Sequence, residues 1–184
     1  DMSTEYSIRF GGNYKVAMNA VELARLPEKE VSDSVIRFLY AGNLGLNRWK
    51  VLALISECLS EIYVETGLRG ELSVYSLTKP ERVVLTALER PSFCSFKGAA
   101  SIHDLSLIKG QSDVLVHVEA FDEQSIYITR LSISTKIPEY LAAGKCIYAV
   151  GPQCVASIKY ISRNNLGFYT DVQDKESIKN TLIQ

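Results

Sequence analysis

Hydrophobic positions along the chain switch repeatedly between two spacings. Short apolar runs of strand length are followed by stretches in which apolar residues return every three or four positions, the period of a helix. The first run is Ser34–Ala41 (SVIRFLYA), β-branched and aromatic and stopped by Gly42; it reads as a buried strand. From Arg48 to Ile62 the apolar residues fall at Val51, Leu52, Ile55, Leu59 and Ile62, which is one face of a helix. The pair repeats: strands at 72–75, 93–96, 113–118, 146–150 and 167–169, and helical stretches from Pro80 to Leu88, from Ser101, from Lys136 to Ala143, from Val155 to Ser162 and from Asp174 onward. Pro80 stands where a first helical turn tolerates it, Ser101 is placed to cap, and Gly144 is a helix stop.

Strands that are apolar along their whole length and joined by helices are covered on both sides. The fold class that follows is α/β, a Rossmann-like parallel six-stranded sheet with helices on both faces. Residues 1–34, mixed in character with Gly11-Gly12 and Pro27, read as a connector or lead-in, and 35–184 as the domain proper. In such sheets ligands sit beyond the carboxyl ends of the strands, near the point where strand order reverses. The loops at 42–48, 76–79, 96–98, 117–122 and 151–153 and the start of the Lys136 helix are therefore the places to look.

Composition narrows the class. A chain of 184 residues, 47% hydrophobic and 22% charged, holds one ordinary domain and needs no metal or disulfide to build a core. A net charge of −1 excludes a broad basic nucleic-acid surface while leaving room for a local phosphate site. None of the four cysteines is spaced C-x-x-C, and no metal-ligand pattern is visible, so neither a metal nor another cofactor is expected. Cys58 in a helical run and Cys146 in a strand read as reduced core thiols, which suits a cytoplasmic protein, and no membrane span or signal peptide is expected.

Two of those loops carry anion-binding chemistry. Gly42-Asn43-Leu44-Gly45 leads into a helix opened by Arg48: glycines admit a ligand to the backbone, and the guanidinium offers a forked cation for a phosphate or diphosphate. Ser134, Thr135 and Lys136 open a second helix with hydroxyl caps, free amides and an ammonium, and Glu139, one turn in, is placed to accept hydrogen bonds from a ribose diol. An acid at a helix start is equally a common surface decoration. His117 and Glu119 lie two apart at the end of a strand, so they share a face and are candidates for the cleft. A histidine in an apolar strand is more simply a satisfied core residue. Asp122 and Glu123 read as surface loop.

At these residues the chain resembles the carboxyl-terminal, donor-binding half of a GT-B fold glycosyltransferase, closest to the retaining family 4 group. The strand-loop FLYAGNL with Arg48 is similar to that family's strand-Gly-Arg-Leu loop. Phe96-Lys97-Gly98 followed by DVLV at 113–116 resembles its F-x-G … D-v-l-v segment, and STKIPEYLAAGK at 134–145 its most specific signature. Tyr6 to Val21 is similar to its interdomain connector. The resemblance implies a nucleotide-sugar donor lying across the strand ends. Glu139 would be on the ribose, Gly42, Asn43, Gly45 and Arg48 at the diphosphate, Ser134, Thr135 and Lys136 completing the cradle, and Phe96 and Lys97 near the base. No catalytic residue is assigned, and no divalent metal is expected.

The resemblance has gaps. The acid that many members carry eight residues before Glu139 is Leu131 here, and the loop arginine is Asn43. It implies transfer of a hexosyl or N-acetylhexosaminyl group to a glycan or lipid-linked acceptor in bacterial surface polysaccharide synthesis. The acceptor would be bound by an amino-terminal domain absent from this chain, so that the fragment alone is inactive. It also leaves room for peripheral membrane association of the full-length protein at the cytoplasmic face. A GT-B sugar-nucleotide 2-epimerase half and a non-catalytic nucleotide-sugar-binding module stay open as alternatives.

Overall fold

A computed structural model describes residues 2–21 and 34–184. Six strands, β1 (Val35–Ala41), β2 (Arg69–Tyr75), β3 (Cys94–Gly98), β4 (Val114–Val118), β5 (Cys146–Val150) and β6 (Phe168–Thr170), form one parallel sheet in the order β3-β2-β1-β4-β5-β6. The chain first walks outward from β1 to β3, then crosses back to lay β4 on the other side of β1. The order reverses between β1 and β4, so the two central strand ends diverge there and leave a crevice at their carboxyl edge.

Side-chain alternation splits the sheet into two cores. Phe38, Leu72, Val74, Val116, Val118, Tyr148 and Val150 face α2 (Arg48–Thr66), α3 (Arg82–Glu89) and α8 (Lys175–Ile183). Leu39, Leu115, Ile147 and Ala149 face α4 (Ile102–Gln111), α6 (Lys136–Ala142) and α7 (Ala156–Arg163). A strand buried on both faces cannot show an alternating pattern, which is why the runs in the sequence are continuous.

The longest helix, α2, buries Val51, Leu52, Ile55, Cys58, Leu59 and Ile62. It ends where Gly67, at φ 75°, donates its N–H to the Tyr63 carbonyl at 2.9 Å. Its outer face carries Glu57, Glu61 and Glu65 at four-residue spacing, and α8 answers with Lys175 and Lys179. Lys175 lies 2.9 Å from Glu61 and Lys179 lies 2.6 Å from Glu65.

Three expectations from the sequence change. Asp122 and Glu123 are not loop: the Asp122 carboxylate accepts from the Ser125 N–H at 3.0 Å and caps a further helix, α5 (Glu123–Thr129). The lead-in begins with a helix, α1 (Met2–Phe10), none of whose residues is buried; Glu5 pairs with Arg9 on it and reaches Arg130 at 3.6 Å. Residues 22–33 of the connector, with Pro27, lie outside the described residues. Cys146 is exposed, because the first residue of β5 stands at the open amino edge of the sheet. The second buried thiol is Cys94 in β3, and burial pushes it and Cys58 up to about 12.

Candidate functional site

The crevice between β1 and β4 opens into a cleft of about 530 Å³. Its lining includes Gly42, Asn43 and Arg48 after β1, Glu119 after β4, and Ser134, Thr135, Lys136 and Glu139 at the start of α6. Eight of the residues singled out in the sequence thus come together on one wall, drawn from segments nearly a hundred positions apart. Two lysines and an arginine (Arg48, Lys109, Lys136) face two carboxylates (Glu119, Glu139), a local positive excess on a chain of net charge −1.

Arg48 leans inward. Its Nε and Nη2 donate to Glu119 Oε2 at 3.1 and 2.8 Å, and the two side chains are only 17% and 5% exposed. Burial raises the Glu119 carboxyl, and the Arg48 and Lys136 charges pull it back toward ionisation. The pair links the segments that follow β1 and β4, and both side chains line the cleft. The helix behind it starts without a side-chain cap: Leu46 and Asn47 are both left-handed, at φ 53° and 55°, and the Asn47 amide donates instead to Asp122 Oδ2 at 3.0 Å. The loop is tightened by the Asn43 side chain, which accepts from the Gly45 N–H at 2.6 Å.

Lys136 is the most exceptional group in the cleft. Its ammonium crosses the sheet edge and stands 4.4 Å above the Tyr40 ring. Gly42 makes that passage possible, since a Cβ there would meet Lys136 Nζ at 2.5 Å and the Tyr40 hydroxyl at 3.2 Å. The hydroxyl itself donates to the Asn43 carbonyl at 2.6 Å. No hydrogen-bond acceptor or carboxylate within ion-pair distance serves the Lys136 ammonium among the described residues. Burial, reinforced by the Arg48 charge, pushes this lysine down to about 8. An ammonium so placed gains from any anion that enters.

The amides at the start of α6 are largely committed. The Ser134 N–H donates to Ser157 Oγ at 3.0 Å, the Ile137 N–H to the Ser134 carbonyl at 3.1 Å, and the Lys136 N–H to Ser134 Oγ at 3.4 Å. Thr135 makes no side-chain cap. The anion-binding capacity of this wall therefore rests on side chains more than on backbone. Glu139 keeps 47% of its side chain exposed, and its Oε2 accepts from Lys109 Nζ at 2.7 Å.

Other residues singled out in the sequence stand elsewhere. Gly45, Phe96 and Lys97 do not line the cleft; the wall beside β2 and α4 is made instead by Ser76, Leu77, Thr78, Ala100, Ile102, Leu105 and Lys109. His117 shares the Glu119 face but lies wholly inside, and it is not a satisfied core residue, for neither ring nitrogen finds a hydrogen bond. Its Nε2 is 3.6 Å from Glu119 Oε1, too long to count as one. Burial and the Lys136 and Arg48 charges hold it well below the usual histidine range, so it is neutral at physiological pH. Leu131 lines a smaller hollow beside the amino-terminal segment, with Met18 and Pro138, and not this cleft. Among the described residues no three His, Cys, Asp or Glu side chains gather that could hold a metal ion, and no helix is long and apolar enough to cross a membrane.

No protein-family model matches the chain, and no curated protein matches it. Solved structures do. The chain is similar to WaaG, a glycosyltransferase involved in lipopolysaccharide biosynthesis, at 18% identity over 83% of this chain and 38% of that one, with a TM-score of 0.61. It is similar to the GtfA/B complex at 11% identity over 99% and 35%, with a TM-score of 0.69. A TarM variant of S. aureus, in complex with fondaparinux, α-GlcNAc-glycerol and UDP, matches at 11% over 99% and 34%, with a TM-score of 0.65. At these identities the likeness is one of fold, and the chain spans little more than a third of each of these structures.

Proposed function

We propose that this chain, which has the fold of a GT-B glycosyltransferase domain, binds the nucleotide-sugar donor of such an enzyme. The observation that carries the reading is Lys136: an ammonium with no acceptor or carboxylate in hydrogen-bond or ion-pair reach among the described residues, drawn under a glycine at the topological switch point, beside a guanidinium and across from a half-exposed carboxylate. A diphosphate fits between Lys136 and Arg48, and a ribose diol donates to Glu139. The sugar then projects over Glu119 toward the open mouth.

The chemistry these side chains perform is charge stabilisation. As the glycosidic C–O bond to the β-phosphate breaks, negative charge grows on the leaving diphosphate, and two cations already in place lower that barrier without reorganising. The group moved is a hexosyl or N-acetylhexosaminyl residue, passed with retention to a glycan or lipid-linked acceptor in bacterial surface polysaccharide synthesis. The acceptor is held by a second domain, and this chain alone binds donor without turning it over. One observation favours a second reading as a non-catalytic nucleotide-sugar module: Leu131 puts an apolar residue where the resemblance implies an acid, and it lines the adjoining hollow rather than the cleft itself.

The test is thermal unfolding with UDP, GDP, ADP, dTDP and their sugars. A ligand at about 100 times its Kd adds roughly 2.7 kcal/mol, a rise of about 5 °C or more for a domain of this size. One nucleotide is expected to raise the midpoint of the wild type and to lose most of that effect on Glu139→Ala. A flat panel, on this chain and on the full-length protein alike, contradicts the reading.

A further inference from the structure

Resting on that reading of the cleft, we propose that Lys109 is a positioning residue for ribose recognition: it holds the Glu139 carboxylate so that one oxygen is fixed and the other is presented to the sugar diol. Ile102, Leu105 and Lys109 lie three and four residues apart on α4 and all line the cleft, so one stripe of this helix forms its wall. The stripe ends in a cation. Lys109 is 12% exposed, reaches across to α6 and donates to Glu139 Oε2 at 2.7 Å. Glu139 Oε1 has no partner among the described residues.

Stability does not explain this contact. One partner is nearly half exposed, and pairs of that kind contribute little to folding. Orientation does. A glutamate on a first helical turn has three rotatable bonds, and an untethered carboxylate on the cleft rim loses side-chain entropy each time it accepts from a ligand. With Oε2 held by an ammonium on the opposite wall, the carboxylate plane is set before the ligand arrives. The same contact takes one of the roughly four lone-pair sites of the carboxylate and leaves Oε1 wholly open to the 2′- and 3′-hydroxyls.

The experiment is calorimetric titration of the tightest binder among UDP, GDP and ADP, and of its 2′,3′-dideoxy counterpart, into wild type, Glu139→Ala, Lys109→Met and Lys109→Arg. Thermal midpoints within about 3 °C of wild type establish that each variant is folded. Wild type is expected to prefer the ribose form by roughly tenfold or more, the value of hydroxyl hydrogen bonds to a charged acceptor, and Glu139→Ala to erase the preference. Lys109→Met is expected to cut the preference by about threefold or more, with affinity for the dideoxy form falling less than affinity for the ribose form, and Lys109→Arg to restore most of it. If Lys109→Met keeps the full preference, or weakens both ligands equally, Lys109 does not position Glu139. If wild type binds the nucleotides but shows no preference, or binds none of them, the ribose role of Glu139 itself is lost and this inference falls with it.

Discussion

Gly42 decides where Lys136 can go. A methyl at this position would collide with the end of a flexible side chain and not with backbone, so Gly42→Ala is expected to cost about 1 kcal/mol or less in stability. It displaces the ammonium from the Tyr40 face, and nucleoside diphosphate affinity is expected to fall roughly tenfold; parallel urea unfolding and calorimetry separate the two effects. Arg48 behaves differently. Arg48→Ala strands Glu119, 5% exposed, without its counter-ion, and a loss of roughly 2–3 kcal/mol is expected at pH 7 by urea unfolding. Burial already raises the Glu119 carboxyl, so the stranded group protonates as pH falls, and the loss is expected to shrink toward pH 5. Much of this site was readable as residue types at loop positions. Gly42, Arg48, Lys136 and Glu139 carry chemistry that a strand-to-helix turn displays in one dimension. Lys109 was not readable, because its partner is thirty positions away and only the packing of α4 against α6 brings them together. The state of His117 was not either: a histidine in an apolar strand implies burial, but whether its nitrogens are served depends on neighbours the sequence does not place.

At the scale of elements, the strand runs were legible because both faces of the sheet are covered, and β5 matches its expected bounds. What escaped was local and polar. The helix α5 is seven residues long with no apolar stripe, and its one signal, Asp122 three residues before Ser125, is a capping pattern easily read as a loop. The helix α1 buries nothing, so no period marks it. The short edge strand β6 depends on Gly167, where a Cβ would run into the Ile147 carbonyl and side chain. Backbone cannot yield as a lysine tip does, and Gly167→Ala is expected to cost about 2 kcal/mol by urea unfolding. Because β6 lies at the far edge from the β1–β4 crevice, nucleotide affinity of the folded variant is expected to stay within about twofold of wild type.

For the molecule as a whole, one topological fact organises the rest. The sequence implied six parallel strands, but not their order, since any right-handed arrangement satisfies the same runs of apolar residues. The order β3-β2-β1-β4-β5-β6 puts the ends of β1 and β4 side by side, and with them the loop of Gly42 and Arg48, Glu119, and the start of α6. Charge that is nearly balanced along the chain becomes locally positive there. This positive spot is proposed to hold a diphosphate through Lys136. The most direct test is calorimetric titration of the best-binding nucleoside diphosphate into wild type and Lys136→Met between pH 7 and 9.5. Lys136 in the free protein titrates near 8, and a bound anion raises that value. Wild-type affinity is therefore expected to fall as pH rises through 8, with a proton taken up on binding above it, while Lys136→Met binds at least about tenfold more weakly at pH 7 and shows neither effect. Equal affinity of the two proteins at pH 7, with the same pH profile, would mean that Lys136 does not hold the diphosphate.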